Sequence, residues 1–298
     1  MDMKVELKKP LDYAVNRPPI WCPGCGDYGI LEALRRALAE LSLPNEQVVV
    51  VSGIGCSSQL PHFMKTYGIH GLHGRAVAIA SGIKIANPKL KVVVVGGDGD
   101  GYGIGLNHMI HAARRNIGIT YIVSNNQVYG LTTGQMSPTT LKGVKTKTTP
   151  YGSIDEPVNP LALALAAGAT YVARGFSGDV AHLAKLIKEA LSHRGFALVD
   201  VLSPCVTFNK VNTYDWFRAR VYKLEESGHD PRDYFQAYKK ALEWPTIDPV
   251  GKIPIGLFYK TEEKPAYEEE MLKILGGRAP IEAELQPPLE KVLELLER

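Results

Sequence analysis

Three short runs of β-branched residues, each followed at once by glycine or polar residues, constrain the fold of this chain most strongly. They read QVVVVSG (47–53), KVVVVGGDGDG (91–101) and GITYIVSNN (118–126). Uninterrupted apolar runs of this length are typical of strands that are buried on both faces of a parallel sheet. The segments between them, RAVAIASGIKIANP and YGIGLNHMIHAARRN, have the pattern of helices. This alternation predicts βαβ units in an open α/β sheet.

Other segments extend this pattern. Isoleucine and leucine recur at three- and four-residue steps after Asp27, which we expect to cap the N-terminus of that helix. Helices are also predicted at 160–167 and 178–192, and FALVDVLSPC (196–205) is predicted to form a further strand. The segment 131–153 is rich in Thr, Gly, Pro and Lys and has no hydrophobic period, so we expect it to form an active-site lid.

The composition bounds the domain organisation. A chain of 298 residues, 45% of them hydrophobic, can bury a sizeable core. We predict an α/β domain at 1–205, with a mostly parallel open sheet flanked by helices. Residues 206–298 lack a core pattern of their own, apart from the amphipathic PLEKVLELLER, and are predicted to be an extended C-terminal tail that packs on this domain and on a partner subunit.

The charge and hydropathy patterns exclude some functions. The net charge of +3 is spread along the chain without a long basic block, so the pattern predicts no nucleic-acid binding. The sequence has no run of about 18 apolar residues, and no apolar segment follows the charged N-terminal residues. We therefore expect a soluble, cytoplasmic protein that does not bind a membrane.

Polar or metal-binding residues follow four of the predicted strands directly. They are Cys56, Asp98, Asn126 and Cys205. The carboxyl ends of parallel strands meet at one edge of a sheet, where open α/β folds bind their ligands. The sequence therefore predicts one site that contains all four residues.

Asp98 and Asn126 predict a magnesium site within it. They follow two strands joined by one crossover helix, which can make the strands neighbours. A carboxylate, an amide oxygen and a backbone carbonyl suit Mg²⁺, which completes its shell with phosphate oxygens and water. The glycines of GDGDG permit close approach to phosphates, and the next helix directs its N-terminus toward them. Asp100 competes for this role, but Asp98 follows the apolar strand directly and is preferred.

The four cysteines, at 22, 25, 56 and 205, admit three interpretations. A C-x-x-C before a helix is typical of a thioredoxin-like dithiol, because the helix N-terminus favours a thiolate. It is also half of a zinc ribbon, although that site normally has a second C-x-x-C. Four thiolates from three separate segments beside a diphosphate site favour a [4Fe-4S] cluster. The spacing alone leaves zinc open.

The GDG and NN segments together resemble the thiamine diphosphate motif. The resemblance implies that Asp98, Asn126 and the carbonyl of Val128 bind Mg²⁺, with the family's glycine spacing continuing to Gly105. Asn125 is assigned to structure. A coincidental glycine turn and strand end is the simpler alternative, but the spacing within a βαβ frame favours the cofactor.

The wider set of motifs resembles a single family. WCPGCGDYGIL, GIGCSSQLP, GLHGRAVAIASGIKIANP, GDGDGYGIGLNH, NNQVYGLTTGQMSPTT and SPC are similar, in this order, to the β subunit of two-subunit archaeal and bacterial 2-oxoacid:ferredoxin oxidoreductases. The resemblance implies CoA-dependent oxidative decarboxylation of a 2-oxoacid, 2-oxoglutarate and/or pyruvate, to acyl-CoA and CO₂. It also implies that the four cysteines hold one [4Fe-4S] cluster, which passes electrons to ferredoxin.

The same resemblance indicates which residues contact the cofactor. His73 is expected to donate to the diphosphate, Gly74 to permit close approach, and Ser57 to bond cluster or cofactor; a packed histidine and a loop cap are the plain alternatives. Thr133 stands where several relatives have Lys or Gly, which puts the transfer of substrate preference in doubt. The residues assigned to cofactor binding are Cys56, Ser57, His73, Gly74, Gly97, Asp98, Gly99, Asp100, Asn126, Val128, Tyr129, Gly130 and Leu131.

The resemblance also implies a partner. The glutamate that activates thiamine is carried in this family by a pyrimidine-binding domain on the α subunit, so we expect an αβ or (αβ)₂ enzyme. Two alternatives remain. One is a non-redox thiamine diphosphate-dependent 2-oxoacid decarboxylase subunit with a structural Cys₄ zinc site. The other is a zinc-stabilised α/β binding module without thiamine.

Overall fold

One eight-stranded sheet organises the computed structural model, which describes residues 7–243, 251–283 and 287–297. The strands are β1 (Val48–Ser52), β2 (Tyr67–His70), β3 (Lys91–Gly97), β4 (Ile119–Asn125), β5 (Tyr171–Phe176), β6 (Ala197–Leu202), β7 (Val221–Lys223) and β8 (Ile253–Lys260). Their order across the sheet is β2-β1-β3-β4-β6-β5-β8-β7. The first six strands in this order are parallel, and β8 runs antiparallel to β5.

Helices cover both faces of the sheet. In chain order, the helices of the described residues are α1 (Asp27–Glu40), α2 (Ala76–Ala86), α3 (Leu106–Arg115), α4 (Pro160–Ala166), α5 (Val180–Ser192), α6 (Tyr214–Arg218), α7 (Tyr234–Ala241), α8 (Tyr267–Ile274) and α9 (Leu289–Leu296). Helices α1 and α5 share one core with the sheet, and α2, α3, α4 and α7 share the other. This architecture confirms the predicted fold class.

Strand β1 and the valine run of β3 are apolar because each faces two cores. In β1, Val48 and Val50 pack on the side of α1, while Val49 and Val51 pack on the side of α2. All five residues of this strand are buried. In a sheet with only one buried face, half of these valine side chains would lie in water. Here every one of them is buried.

The strand pairing places the predicted site residues side by side. Strands β3 and β4 are neighbours, with Gly97 opposite Ser124, and β4 lies beside β6, with Asn125 opposite Leu202. Strand β1 lies on the other side of β3. The segments that follow β1, β3, β4 and β6 consequently emerge at one edge of the sheet.

The C-terminal segment contributes strands to the same sheet. Strand β8 pairs with β5, and β7 pairs with β8. Phe258 of β8 is completely buried in the core formed with α2, α3, α4 and α7. Helix α9, by contrast, has no buried residue. The division of the chain at residue 205 stays a prediction.

No helix in the described ranges combines the length and the apolar character needed to cross a bilayer.

Candidate active site

A cavity of about 580 Å³ lies beyond the carboxyl ends of β1, β3 and β4. Every residue predicted to contact the cofactor lines it, with the exception of Gly74. The lining residues are Ile54, Gly55, Cys56, Ser57, His73, Gly97, Asp98, Gly99, Asp100, Asn126, Val128, Tyr129, Gly130, Leu131, Thr132, Gln135, Met136 and Thr148.

Asp98 is the most deeply buried acid that faces this cavity. It directly precedes a short π-helical segment, Gly99–Ile104, and is 1% exposed. Its Oδ2 accepts hydrogen bonds from the hydroxyls of Ser137 at 2.5 Å and Thr139 at 2.6 Å. Burial raises the pKa of Asp98 to about 6, and the two hydroxyls oppose this shift only in part. The ionised carboxylate thus bears a desolvation cost that a bound cation would offset.

Asp100 has a different environment. Its Oδ1 accepts hydrogen bonds from the backbone N–H groups of Ile54 at 2.9 Å and Gly74 at 2.7 Å, and lies 2.9 Å from Nδ1 of His73. Its Oδ2 is packed against the end of β1, where a Cβ added to Gly53 would lie 2.1 Å away. The carboxylate of Asp100 therefore ties together the loops after β1 and β2. Gly74, at φ +69°, contributes its N–H to the hydrogen bond with Asp100 and does not line the cavity.

Asn126 and Val128 flank a residue in an unusual conformation. Gln127 has φ +59°, in the left-handed region that non-glycine residues seldom adopt, and is buried. The Oδ1 of Asn126 accepts a hydrogen bond from the N–H of Val128 at 3.1 Å, and the carbonyl of Asn126 accepts one from Asn209 at 3.0 Å. The strained turn thus fixes Asn126 and Val128 on the cavity wall next to Asp98.

Glycines of the G-D-G segment permit close packing around this wall. The hydroxyl of Tyr129 donates to the carbonyl of Gly99 at 2.9 Å, and a Cβ on Gly99 would lie 2.2 Å from the Tyr129 ring. A Cβ on Gly97 would lie 3.5 Å from Oγ of Ser57. A side chain at Gly99 would therefore displace the Tyr129 ring.

The four cysteines converge beside the same cavity. A Cβ built on Gly130 would lie 3.6 Å from Sγ of Cys56 and 3.7 Å from Sγ of Cys205. Burial is the main cause that raises the pKa of Cys25 and Cys56; charge repulsion from Cys205 adds to both shifts, and Cys22 adds to that of Cys56, as expected for sulfurs that lie near one another. Within the described ranges, no three His, Cys, Asp or Glu side chains form a compact group that could hold a single metal ion.

The surroundings of two of these thiols oppose ionisation. Burial raises the pKa of Cys56 to about 11 and raises that of Cys25 still further, with Asp27 adding to both shifts. Burial therefore opposes a thiolate near neutral pH at Cys25 and Cys56, whereas Cys22, the attacking thiol of the dithiol interpretation, is exposed. The loop of Cys56 is held by Nε1 of Trp21, which donates to the Cys56 carbonyl at 2.7 Å.

Asp27 does not cap α1, contrary to the prediction. The cap residue is Gly26, and Asp27 turns inward, where it is 1% exposed. Its Oδ1 accepts a hydrogen bond from Ser124 at 2.7 Å, and its Oδ2 lies 3.5 Å from Sγ of Cys25. Burial raises the pKa of Asp27. The residue joins the end of β4 to the cysteine group, a contact between distant parts of the chain that a local capping pattern does not reveal.

Comparison with known proteins identifies the family. Residues 46–201 match the family described as thiamine pyrophosphate enzyme, C-terminal TPP-binding domain. Residues 205–274 match the family described as the C-terminal part of the pyruvate ferredoxin oxidoreductase β chain. The β subunit of 2-oxoacid:ferredoxin oxidoreductase 1 from Aeropyrum pernix is 49% identical over 261 residues, which cover 84% of this chain and 80% of the relative. The chain belongs to the β-subunit family of the 2-oxoacid:ferredoxin oxidoreductases.

Two further similar proteins are named as 2-oxoglutarate oxidoreductases. The 2-oxoglutarate oxidoreductase subunit KorB of Mycobacterium tuberculosis is 51% identical over 202 residues, covering 68% of this chain and 54% of that protein. A solved chain of the 2-oxoglutarate:ferredoxin oxidoreductase from Magnetococcus marinus, with 2-oxoglutarate, coenzyme A and succinyl-CoA bound, superposes with a TM-score of 0.87 at 44% identity. The match covers 97% of this chain and 96% of that one. The resemblance drawn from the sequence motifs is confirmed.

The predicted lid of this β subunit supplies site residues that sequence reasoning missed. Ser137 and Thr139 bond Asp98, and the lid contributes further to the cavity wall through Met136 and Thr148. The only signal for them was the SPTT segment, whose hydroxyls follow the NN motif. Asn125, assigned to structure, is buried, donates to Asp200 and accepts from Thr139.

Proposed function

We propose that this β subunit binds thiamine diphosphate with Mg²⁺ in the cavity and a [4Fe-4S] cluster on its four cysteines. With an α subunit, it catalyses CoA-dependent oxidative decarboxylation of a 2-oxoacid and passes the electrons to ferredoxin. One observation carries the proposal: Cys56 and Asp98 line the same cavity. A cofactor held at Asp98 would therefore lie next to a cluster held at Cys56.

The residues around Asp98 fit a magnesium-bound diphosphate. The buried carboxylate of Asp98 accepts hydrogen bonds from two hydroxyls on one of its oxygens, a setting that suits a hard cation. Asn126 and Val128 are the two further ligands predicted. No lysine or arginine is among the described residues that line the cavity. The charge of a diphosphate would then be balanced here by Mg²⁺, by His73 and by backbone N–H groups.

The cysteines fit an iron–sulfur cluster better than a single ion. Their sulfurs converge from the α1 turn, the β1 loop and the β6 loop without the compact grouping of a single-ion site. A cluster core occupies more space between its ligands than one zinc ion does. The raised pKa values of Cys25 and Cys56 indicate a poorly solvated pocket in which a metal would stabilise the thiolates.

When bound, thiamine diphosphate supplies the decarboxylation chemistry and the cluster supplies one-electron transfer. The chain itself positions the side chains and loops that would hold these cofactors. Ser137 and Thr139 orient the Asp98 carboxylate, and Asp100 fixes the loops that form the cavity walls. Trp21 holds the Cys56 loop against the cavity. A cluster held at Cys56 would therefore border the cavity in which thiamine diphosphate would be bound.

Serine substitution of Cys22 tests the proposal. In the assembled enzyme, purified without oxygen, Cys22→Ser should diminish the cluster absorbance and its reduced-state EPR signal together with ferredoxin reduction. Binding of Mg²⁺-thiamine diphosphate should remain within about threefold, because Asp98 and Asn126 are untouched.

Asp98→Asn is the reciprocal variant. It should keep the cluster signals and lose the thiamine cofactor. Loss of activity in Cys22→Ser with an intact cluster would restore the dithiol interpretation. A colourless wild-type protein containing zinc in place of iron would instead support the non-redox decarboxylase alternative, provided that it still binds thiamine diphosphate.

A further inference from the structure

Asp200 of β6 is a completely buried carboxylate that contacts both halves of the thiamine diphosphate motif. Its Oδ1 accepts hydrogen bonds from the hydroxyl of Tyr102 and from Nδ2 of Asn125, each at 3.0 Å. Tyr102 belongs to the π-helical segment that begins directly after Asp98, and Asn125 directly precedes Asn126. One carboxylate oxygen therefore joins the two segments that carry the predicted metal ligands.

The second oxygen of this carboxylate is bound by an arginine of the neighbouring strand. Arg174 lies opposite Asp200 in the pairing of β5 with β6, and its Nε donates to Oδ2 of Asp200 at 3.0 Å. Both side chains are completely buried. A buried carboxylate needs a cation and further hydrogen bonds to offset its loss of water. Arg174 therefore compensates the buried charge and fixes the carboxylate, with Oδ1 directed at its other two partners.

Asn125 extends these contacts to the lid and to Asp98. Its Oδ1 lies 2.9 Å from Oγ1 of Thr139, and that hydroxyl lies 2.6 Å from Oδ2 of Asp98. Asn125 and Thr139 are both completely buried. A continuous series of buried polar contacts thus joins Asp200 to the carboxylate of Asp98. Hydrogen bonds in such low-dielectric surroundings are strong, and a network of them holds its members in one arrangement.

We propose that Asp200 is a positioning residue that fixes the distance between Asp98 and Asn126, the two side chains predicted to bind the metal. It does so by holding Tyr102 and Asn125 at one oxygen. This inference rests on the proposed function, since the metal is the Mg²⁺ of the diphosphate site. Mg²⁺ requires nearly ideal octahedral geometry, whereas Ca²⁺ accepts irregular shells and longer bonds. Loss of a contact to Asp200 therefore weakens Mg²⁺ binding more than Ca²⁺ binding.

Removal of the Tyr102 hydroxyl tests this role, because Tyr102→Phe keeps the ring and leaves the ion pair of Asp200 with Arg174 in place. Calorimetric titration of the assembled enzyme with thiamine diphosphate and Mg²⁺ should give an affinity about tenfold weaker than that of the wild type. This loss is typical when a residue that orients a metal ligand is changed. The affinity measured with Ca²⁺ should change less than about threefold. The reduced-state EPR signal of the cluster should be unchanged.

Tyr171→Phe is the matched control for the loss of one buried hydroxyl. Tyr171 of β5 is also completely buried, and its hydroxyl donates to the carbonyl of Leu186 at 2.9 Å, on the helix α5. This substitution should lower the melting temperature by a few degrees, as Tyr102→Phe does, because each removes one buried hydrogen bond. It should leave the affinities with Mg²⁺ and with Ca²⁺ at their wild-type values.

The outcomes separate this inference from the proposed function. Equal losses of affinity with Mg²⁺ and Ca²⁺, or equal losses in Tyr102→Phe and Tyr171→Phe, would overturn the positioning role, because either result indicates only a less stable fold. An unchanged Mg²⁺ affinity in Tyr102→Phe would overturn it as well. A wild-type complex that binds thiamine diphosphate with neither ion would instead contradict the proposed function itself.

Discussion

Two aspartates only two residues apart have separate tasks because their side chains leave the backbone toward different surroundings. Asp98 lies at the end of β3 with hydroxyl partners on one oxygen. Asp100 is turned by the π-helical segment toward the loops after β1 and β2, where backbone N–H groups saturate one oxygen. In GDGDG, Asp98 is therefore a candidate metal ligand, and Asp100 is a structural residue that holds two loops together.

Matched amide substitutions should distinguish these tasks. Asp98→Asn removes the charge expected to bind Mg²⁺, so the affinity for Mg²⁺-thiamine diphosphate should fall at least about tenfold, while thermal stability of the cofactor-free enzyme is kept. Asp100→Asn weakens hydrogen bonds to a charged acceptor, so the free energy of unfolding should fall by about 1–2 kcal/mol with cofactor affinity nearly unchanged. Cofactor titration and thermal melting measure both. The reverse pattern would make Asp100 the metal ligand.

At the scale of elements, the C-terminal strands close the open edge of the sheet at β5. Strand β5 is flanked by β6 on one side and by β8 on the other. Ile253, Ile255 and Phe258 of β8 are buried. An unpaired β5 would expose both a hydrogen-bonding edge and the apolar side chains that β8 now covers.

Truncation should show how strongly the domain depends on these strands. A chain ended after residue 205 should be insoluble or lack a cooperative melt, since burial of each large apolar side chain of β8 contributes about 1.5–3 kcal/mol. Removal of residues 287–298 is the matched control, because α9 has no buried residue, and it should melt within a few degrees of the full chain. A soluble, cooperatively melting 1–205 fragment would show that the first domain folds independently.

At the scale of the whole molecule, the cavity is proposed to be the diphosphate and metal half of a thiamine site. No glutamate is among the described residues that line it. The family to which the chain belongs is that of a β subunit, and the activating glutamate is proposed to come from the α subunit. The assembled pair would then be required for catalysis.

Reconstitution of the isolated chain tests this requirement. With thiamine diphosphate, Mg²⁺ and an assembled cluster, the chain alone should reduce a viologen dye at least about a hundredfold more slowly than the αβ complex, because a positioned acid–base group is missing. The EPR spectrum of the chain provides the control that its cluster is intact. Equal rates for the chain and the complex would show that the site is complete without a partner.

Sequence alone determined the features that rest on local pattern. The valine runs predicted β1 and β3 because a strand that faces two cores is typically a near-continuous apolar run. The order of strand and helix then predicted that the residues after β1, β3, β4 and β6 meet at one edge, as the lining of the cavity shows for Cys56, Asp98 and Asn126.

Only the tertiary structure decided contacts that join distant segments. Strand β5 was missed because it contains Arg174, a buried residue that forms an ion pair with Asp200 of β6. Strand β2 was missed because every residue of this edge strand is exposed. The inward turn of Asp27 likewise depends on its contact with Ser124 of β4, which no local period encodes. A pattern specifies which face of an element is apolar, whereas the fold alone specifies what that face meets.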